Sequence, residues 1–92
     1  MDKFKIDLSP AAARDLDDFE IGLVTQVFSD LRILEDNPFP KGKLIKKIKG
    51  KKNFFYRLRI DKFMVFFEIQ QMNIIILRIL NKKEADRFIK KL

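Results

Sequence analysis

The chain has 92 residues, 47% of them hydrophobic, with ten phenylalanines and a net charge of +7 at pH 7. That length holds one small domain, residues 1–92, around one core. Neither His nor Cys is present, which excludes a disulfide framework, the usual zinc ligands, and both Ser-His-Asp and Cys-His catalysis.

Phe4-Lys5-Ile6-Asp7-Leu8 alternates apolar and polar residues and reads as a first strand. Ser9-Pro10 starts a helix, with Ser as N-cap and Pro at the first helical position. That helix runs from Ala11 to Asp18 and breaks near Phe19-Glu20. A second is expected from about Glu20 to Asp36, with Ile21, Val24, Phe28, Leu31 and Leu34 as its apolar stripe. The pair forms a helical hairpin. Asn37-Pro38-Phe39-Pro40-Lys41-Gly42 ends it, because two prolines and a glycine cannot continue a helix.

Leu44-Ile45 and Ile48 punctuate a lysine run that ends at Gly50, read as a short strand or irregular segment against the sheet. Strands follow at about 53–60, 63–70 and 73–80. Asp61-Lys62 and Gln71-Met72 join them, and neither pair is a favoured hairpin turn, which leaves room for longer or bulged loops. Asn81-Lys82-Lys83-Glu84 has the spacing of a capping box before a short terminal helix striped by Ala85, Phe88 and Leu92. The order β-α-α-β-β-β-α is α+β: a helical hairpin packed on a mainly antiparallel sheet, whose other face should be open.

Charge is divided along the chain. Residues 1–40 hold four basic and nine acidic groups, and residues 41–92 hold sixteen and four, so the halves carry −5 and +12. Ten of the twenty basic residues fall within 41–62, opposed only by Asp61. Such a split is the electrostatic footprint of a polyanion binder, although solvated lysines serving solubility produce the same count.

The strand Phe54 to Ile60 adds geometry to that count. Phe54, Tyr56, Leu58 and Ile60 should face the core, and Arg57 and Arg59 should project together from the other side. Pairing about Asp61-Lys62 sets Ile60 opposite Phe63, Arg59 opposite Met64 and Arg57 opposite Phe66. Arg57, Arg59, Met64 and Phe66 then share one face. Two guanidinium groups there suit phosphate oxygens. Lys46, Lys47, Lys49, Lys51 and Lys52 extend the field as RNA-binding candidates, and Phe66 offers a ring for a base to stack on, unless it serves as core. Lys83 joins the group if the last strand ends beside the first hairpin. The competing reading is that Arg57 and Arg59 pair with acids such as Glu68.

The longest apolar run, Ile74-Ile75-Ile76-Leu77, stops at Arg78, well short of a membrane span. Met1-Asp2-Lys3-Phe4-Lys5 lacks the apolar core of a signal peptide. A soluble, cytoplasmic protein without membrane contact is expected.

Tyr56-Arg57-Leu58-Arg59-Ile60, Phe63-Met64-Val65-Phe66-Phe67-Glu68-Ile69 and Ile76-Leu77-Arg78-Ile79 together resemble the RelE/ParE toxin superfamily. Leu8-Ser9-Pro10-Ala11-Ala12 and Leu34-Glu35-Asp36-Asn37-Pro38-Phe39-Pro40 resemble its helix start and interhelix exit. The resemblance spans nearly the whole chain and rests on order and spacing. It implies a small toxin neutralised by a cognate antitoxin, with RelE-like members cutting mRNA on the ribosome through the internal 2′-hydroxyl, without a metal or other cofactor. It places Arg57, Arg59 and Lys83 at basic positions of that site. Met64 stands where RelE-like toxins usually carry Arg, and the family's C-terminal Tyr or His has no counterpart beside Phe88 and Ile89. Those departures imply a weakened or inactive nuclease, or a relative of the ParE branch that inhibits DNA gyrase without cutting RNA.

Overall fold

The elements of a computed structural model, which describes residues 3–91, are β1 (Lys5–Leu8), α1 (Pro10–Asp17), α2 (Ile21–Leu31), α3 (Ile33–Asp36), β2 (Ile45–Lys49), β3 (Phe54–Ile60), β4 (Phe63–Gln70), β5 (Asn73–Asn81) and α4 (Lys82–Lys91). Leu92, expected in the last apolar stripe, lies outside the described residues. The five strands form one sheet in the order β1-β5-β4-β3-β2. β1 runs parallel to β5, and every other pair is antiparallel. The fold is the expected α+β arrangement, and the lysine-rich segment 45–49 is a regular edge strand. Lysines suit that place, since charge on an edge strand discourages pairing with another chain.

Ser9 ties the first helix to the sheet. Its side chain accepts the Ala12 N–H at 3.1 Å and donates to the Leu77 carbonyl at 2.9 Å, and its own N–H bonds the Ile76 carbonyl at 2.9 Å. One residue therefore caps α1 and continues the pairing of β1 with β5. Ala12 and Leu16 of α1 are buried against Ile74, Ile76 and Ile79.

The second helix departs from expectation. It ends at Leu31, and Arg32 donates to the Ser29 carbonyl at 3.3 Å, a tighter three-residue step that separates α3. The apolar stripe is also rotated. Val27, Leu31 and Leu34 are buried, whereas Ile21 is 86% and Phe28 46% exposed. Val24, Leu31 and Leu34 belong to both stripes, so apolar spacing alone did not choose between Val27 and Phe28; packing on the sheet did.

Both later hairpins close in two residues, tighter than the turn residues suggested. Asp61 and Gln71, the first residue of each turn, take φ of 47° and 56°, a region costing roughly 1–2 kcal/mol for a residue with a Cβ. Gly50, in the turn between β2 and β3, is close-packed: a Cβ there would lie 2.6 Å from the Phe55 ring.

The sheet buries both faces. Leu58, Ile60, Val65, Phe67, Ile74, Ile76 and Ile79 form the main core with α1 and α2. On the other face Phe66, Leu80 and Ala85 make a second cluster, with Ile48, Met64, Leu77, Phe88 and Ile89 packed around it. The face expected to be open is thus partly roofed by α4. Asn81 starts that helix by accepting the Glu84 N–H at 2.8 Å, as the capping pattern required. No helix among the described residues is long and apolar enough to cross a membrane.

Candidate nucleic-acid interface

The register of β3 and β4 is the expected one, with Ile60 opposite Phe63, Arg59 opposite Met64 and Arg57 opposite Phe66. β2 adds Lys46 directly opposite Arg57, and β5 adds Leu80 opposite Met64. Lys46, Arg57 and Arg59 are therefore neighbouring cations on the face that α4 partly covers. Like charges opposed across a strand pair destabilise it. Among the described residues neither arginine has a carboxylate within ion-pairing distance: the three ion pairs are Lys3–Asp36, Arg32–Glu35 and Arg78–Asp15. Glu68, the suggested partner, instead accepts from Gln70 at 3.1 Å.

Arg57 is half-buried, and its Nε–H is shielded from water without an acceptor. An orphaned donor of this kind costs on the order of 1–3 kcal/mol, and more for a charged group. Arg59 is exposed. One guanidinium is held by packing and the other is free to reach.

Several candidates separate in space. Phe66 is fully buried and tilted against Phe88, with ring centroids 4.9 Å apart. No base can stack on it, because its ring fills the cluster beneath α4. Met64 is half-buried in the same cluster, so it borders the arginines and supports the packing at once. Lys83 is exposed in the first turn of α4. Asn81 pairs with Phe63, so β5 does end beside the hairpin that carries Arg59.

The lysine run is divided by strand parity. Lys46 shares the arginine face, whereas Lys47 and Lys49, opposite Tyr56 and Phe54, belong to the other. Lys51 and Lys52 are exposed in the turn beyond. Of the strand lysines expected to extend the arginine field, only Lys46 shares its face.

The pair that the sequence did not reveal is Asp15 with Arg78. The Arg78 Nε and Nη2 donate to the two carboxylate oxygens at 2.8 and 3.0 Å, and the Ile79 N–H donates to Oδ2 at 2.9 Å. Phe66 pairs with Arg78 and Phe67 with Ile76, which leaves Leu77 as an extra residue. This bulge lies where the register shifts, and bulges commonly re-aim a side chain. The hydrogen bond that Arg78 donates to Asp15 raises the Arg78 pKa above its ordinary value, against the opposing effect of burial.

The sequence pattern of the ParE toxin of type II toxin–antitoxin system, parDE, matches residues 6–86, and the chain belongs to that family, within the RelE/ParE superfamily of toxins. No curated protein matches it in sequence. Among solved structures, the chain is similar to one from the archaeal RelE-RelB complex of Pyrococcus horikoshii OT3, with a TM-score of 0.71 and 19% identity over 86% of this chain and 94% of that one. The toxin–antitoxin complex RelBE2 of Mycobacterium tuberculosis gives 0.70 and 17%, covering 87% and 99%. The RelB-RelE complex of Methanococcus jannaschii gives 0.66 and 24%, covering 88% and 95%. At these identities the likeness is one of fold.

Proposed function

We propose that this chain is a RelE-like toxin that binds mRNA on the ribosome and cleaves it slowly, under control of a cognate antitoxin. The observation that carries this reading is the row Lys46, Arg57 and Arg59, three neighbouring cations without a carboxylate partner among the described residues. Fixed cations stabilise charge that builds on a phosphate in the transition state, and they do so without a metal. Lys83 extends that field from the start of α4.

Cleavage should be slow for a chemical reason. Met64 contributes no charge, and Phe88, packed on Phe66, has no hydroxyl with which to move a proton. These two residues also favour a second reading, a ParE-like inhibitor of DNA gyrase that cuts no RNA, and the family match of residues 6–86 is compatible with both.

The antitoxin reading draws on the solved relatives, three of which are toxin–antitoxin complexes. A groove of about 540 Å³ between β1 and α2, lined by Ile6, Leu8, Phe28 and Leu31, suits an apolar partner segment. Toeprinting on translating ribosomes with purified protein tests the nuclease, with gyrase supercoiling followed in parallel. New mRNA ends within the ribosomal A site support the RelE reading. Inhibited supercoiling with intact mRNA replaces it by the ParE reading.

A further inference from the structure

Phe54 is 51% exposed at the start of β3, on the sheet face opposite Arg57 and Arg59. Lys47 places its Nζ 4.1 Å from the centre of the ring, a cation–π contact that holds the ring in place. Beside it opens a cavity of about 350 Å³ whose walls include Phe54, Tyr56 and Ile69, with Asn53, Glu68 and Gln70 as polar groups. Lys49, directly opposite Phe54, and Lys51 and Lys52 in the adjoining turn are exposed and have no acidic partner among the described residues.

We propose that this corner of the β2–β3 hairpin is a binding site for single-stranded RNA, separate from the Arg57/Arg59 face. A flipped-out base needs an aromatic plane, polar groups for its edge, and cations for the flanking phosphates. Phe54 supplies the plane, and the Asn53 amide on the cavity wall both donates and accepts. The lysines span the phosphates on either side. A duplex keeps its bases stacked internally and cannot use the ring, so the site distinguishes single strands from duplexes. A protein with cations on both sheet faces then holds one RNA at two points, which raises the effective concentration at the arginine face.

The inference shares its ligand with the nuclease reading but does not need cleavage, and the test separates them. Arg57→Ala/Arg59→Ala protein, which keeps the hairpin site and lacks both arginines of the other face, is titrated into a fluorescent twelve-nucleotide oligouridine and into a twelve-base-pair RNA duplex, read by anisotropy. Adding Phe54→Ala should weaken single-strand binding about tenfold and leave the duplex unchanged. Phe54→Trp should restore it. Lys49→Gln/Lys51→Gln, which leaves the Lys47–Phe54 contact intact, should weaken binding and flatten its salt dependence. The proposal is overturned if the double-arginine variant no longer binds the single strand, if Phe54→Ala binds as its parent does, or if strand and duplex lose affinity equally. Intact mRNA in the toeprint with this binding unchanged would remove the nuclease reading alone.

Discussion

Asp15 on α1 and Arg78 on β5, 63 positions apart in sequence, form a two-pronged ion pair at 2.8 and 3.0 Å, and the same carboxylate accepts the Ile79 N–H. The pair fastens the first helix to the sheet just past the bulge, where β1 has already ended. Asp15 keeps 12% of its side chain exposed and Arg78 34%, so the pair is worth less than a fully buried one. Asp15→Ala should destabilise the fold by about 2 kcal/mol, since it strands both a guanidinium and a backbone donor. Asp15→Asn, which can still accept from Ile79, should cost less. Urea melts of the three proteins check this order.

Gln71 offers the opposite opportunity. Its φ of 56° strains a residue that carries a Cβ. Gln71→Gly should relieve that strain at some cost in unfolded-chain entropy, for a net stabilisation of roughly 0.5–1 kcal/mol. Asp61→Gly should gain less, because Asp tolerates this region better. Thermal melts resolve the difference, since 1 kcal/mol moves the Tm of a domain this size by about 4–8 °C.

Replacing Arg57 and Arg59 together with Ala should weaken RNA binding without unfolding the protein. Arg59 is exposed and Arg57 contributes an unsatisfied donor, so neither loss removes a favourable internal polar contact. If both contact phosphates of a single strand, the slope of log K against log salt should flatten by about 1.4. An unchanged slope with a lowered melting temperature would assign them a structural role.

Met64 tests the chemistry. It lies opposite Arg59 on one side and Leu80 on the other. An arginine there would place another cation beside Arg59, at the proposed phosphate site. One such donor contributes on the order of 3 kcal/mol to a transition state, about a hundredfold in rate. Met64→Arg should therefore raise ribosome-dependent cleavage and growth inhibition. The melting temperature should fall somewhat, because Met64 also packs around Phe66 and Leu80. Equal cleavage in both proteins would take position 64 out of the active site.

The groove beside β1 makes a prediction about the antitoxin. Ile21 and Phe28 are exposed on α2, so Ile21→Ser and Phe28→Ser should leave the stability nearly unchanged. If the groove seats an antitoxin, Phe28→Ser should lower affinity at least tenfold, because large aromatics dominate interface energetics. Affinity should also fall with added salt if an acidic segment reaches the +12 half of the chain. Co-purification with the adjacent operon product, followed by calorimetry, decides both points.

Patterns of short range were legible in the chain itself. Ser9-Pro10 announced α1, Asn81 and Glu84 announced α4, and strand alternation placed Arg57 with Arg59 and set the register opposite Met64 and Phe66. Each of these follows from the backbone's own geometry: a cap acts within one turn, and a two-residue hairpin fixes every pair along its ladder. The tertiary structure decided the rest. Whether Phe28 or Val27 faced inward depended on how α2 met the sheet. Whether Phe66 was platform or core depended on where α4 came to rest, and Asp15 found Arg78 only because the fold joined helix to strand. Lys47 and Phe54 became neighbours because β2 paired with β3 and divided the lysine run between two faces. Local sequence states which side of its own strand or helix a residue occupies, and burial is settled only when another element covers that side.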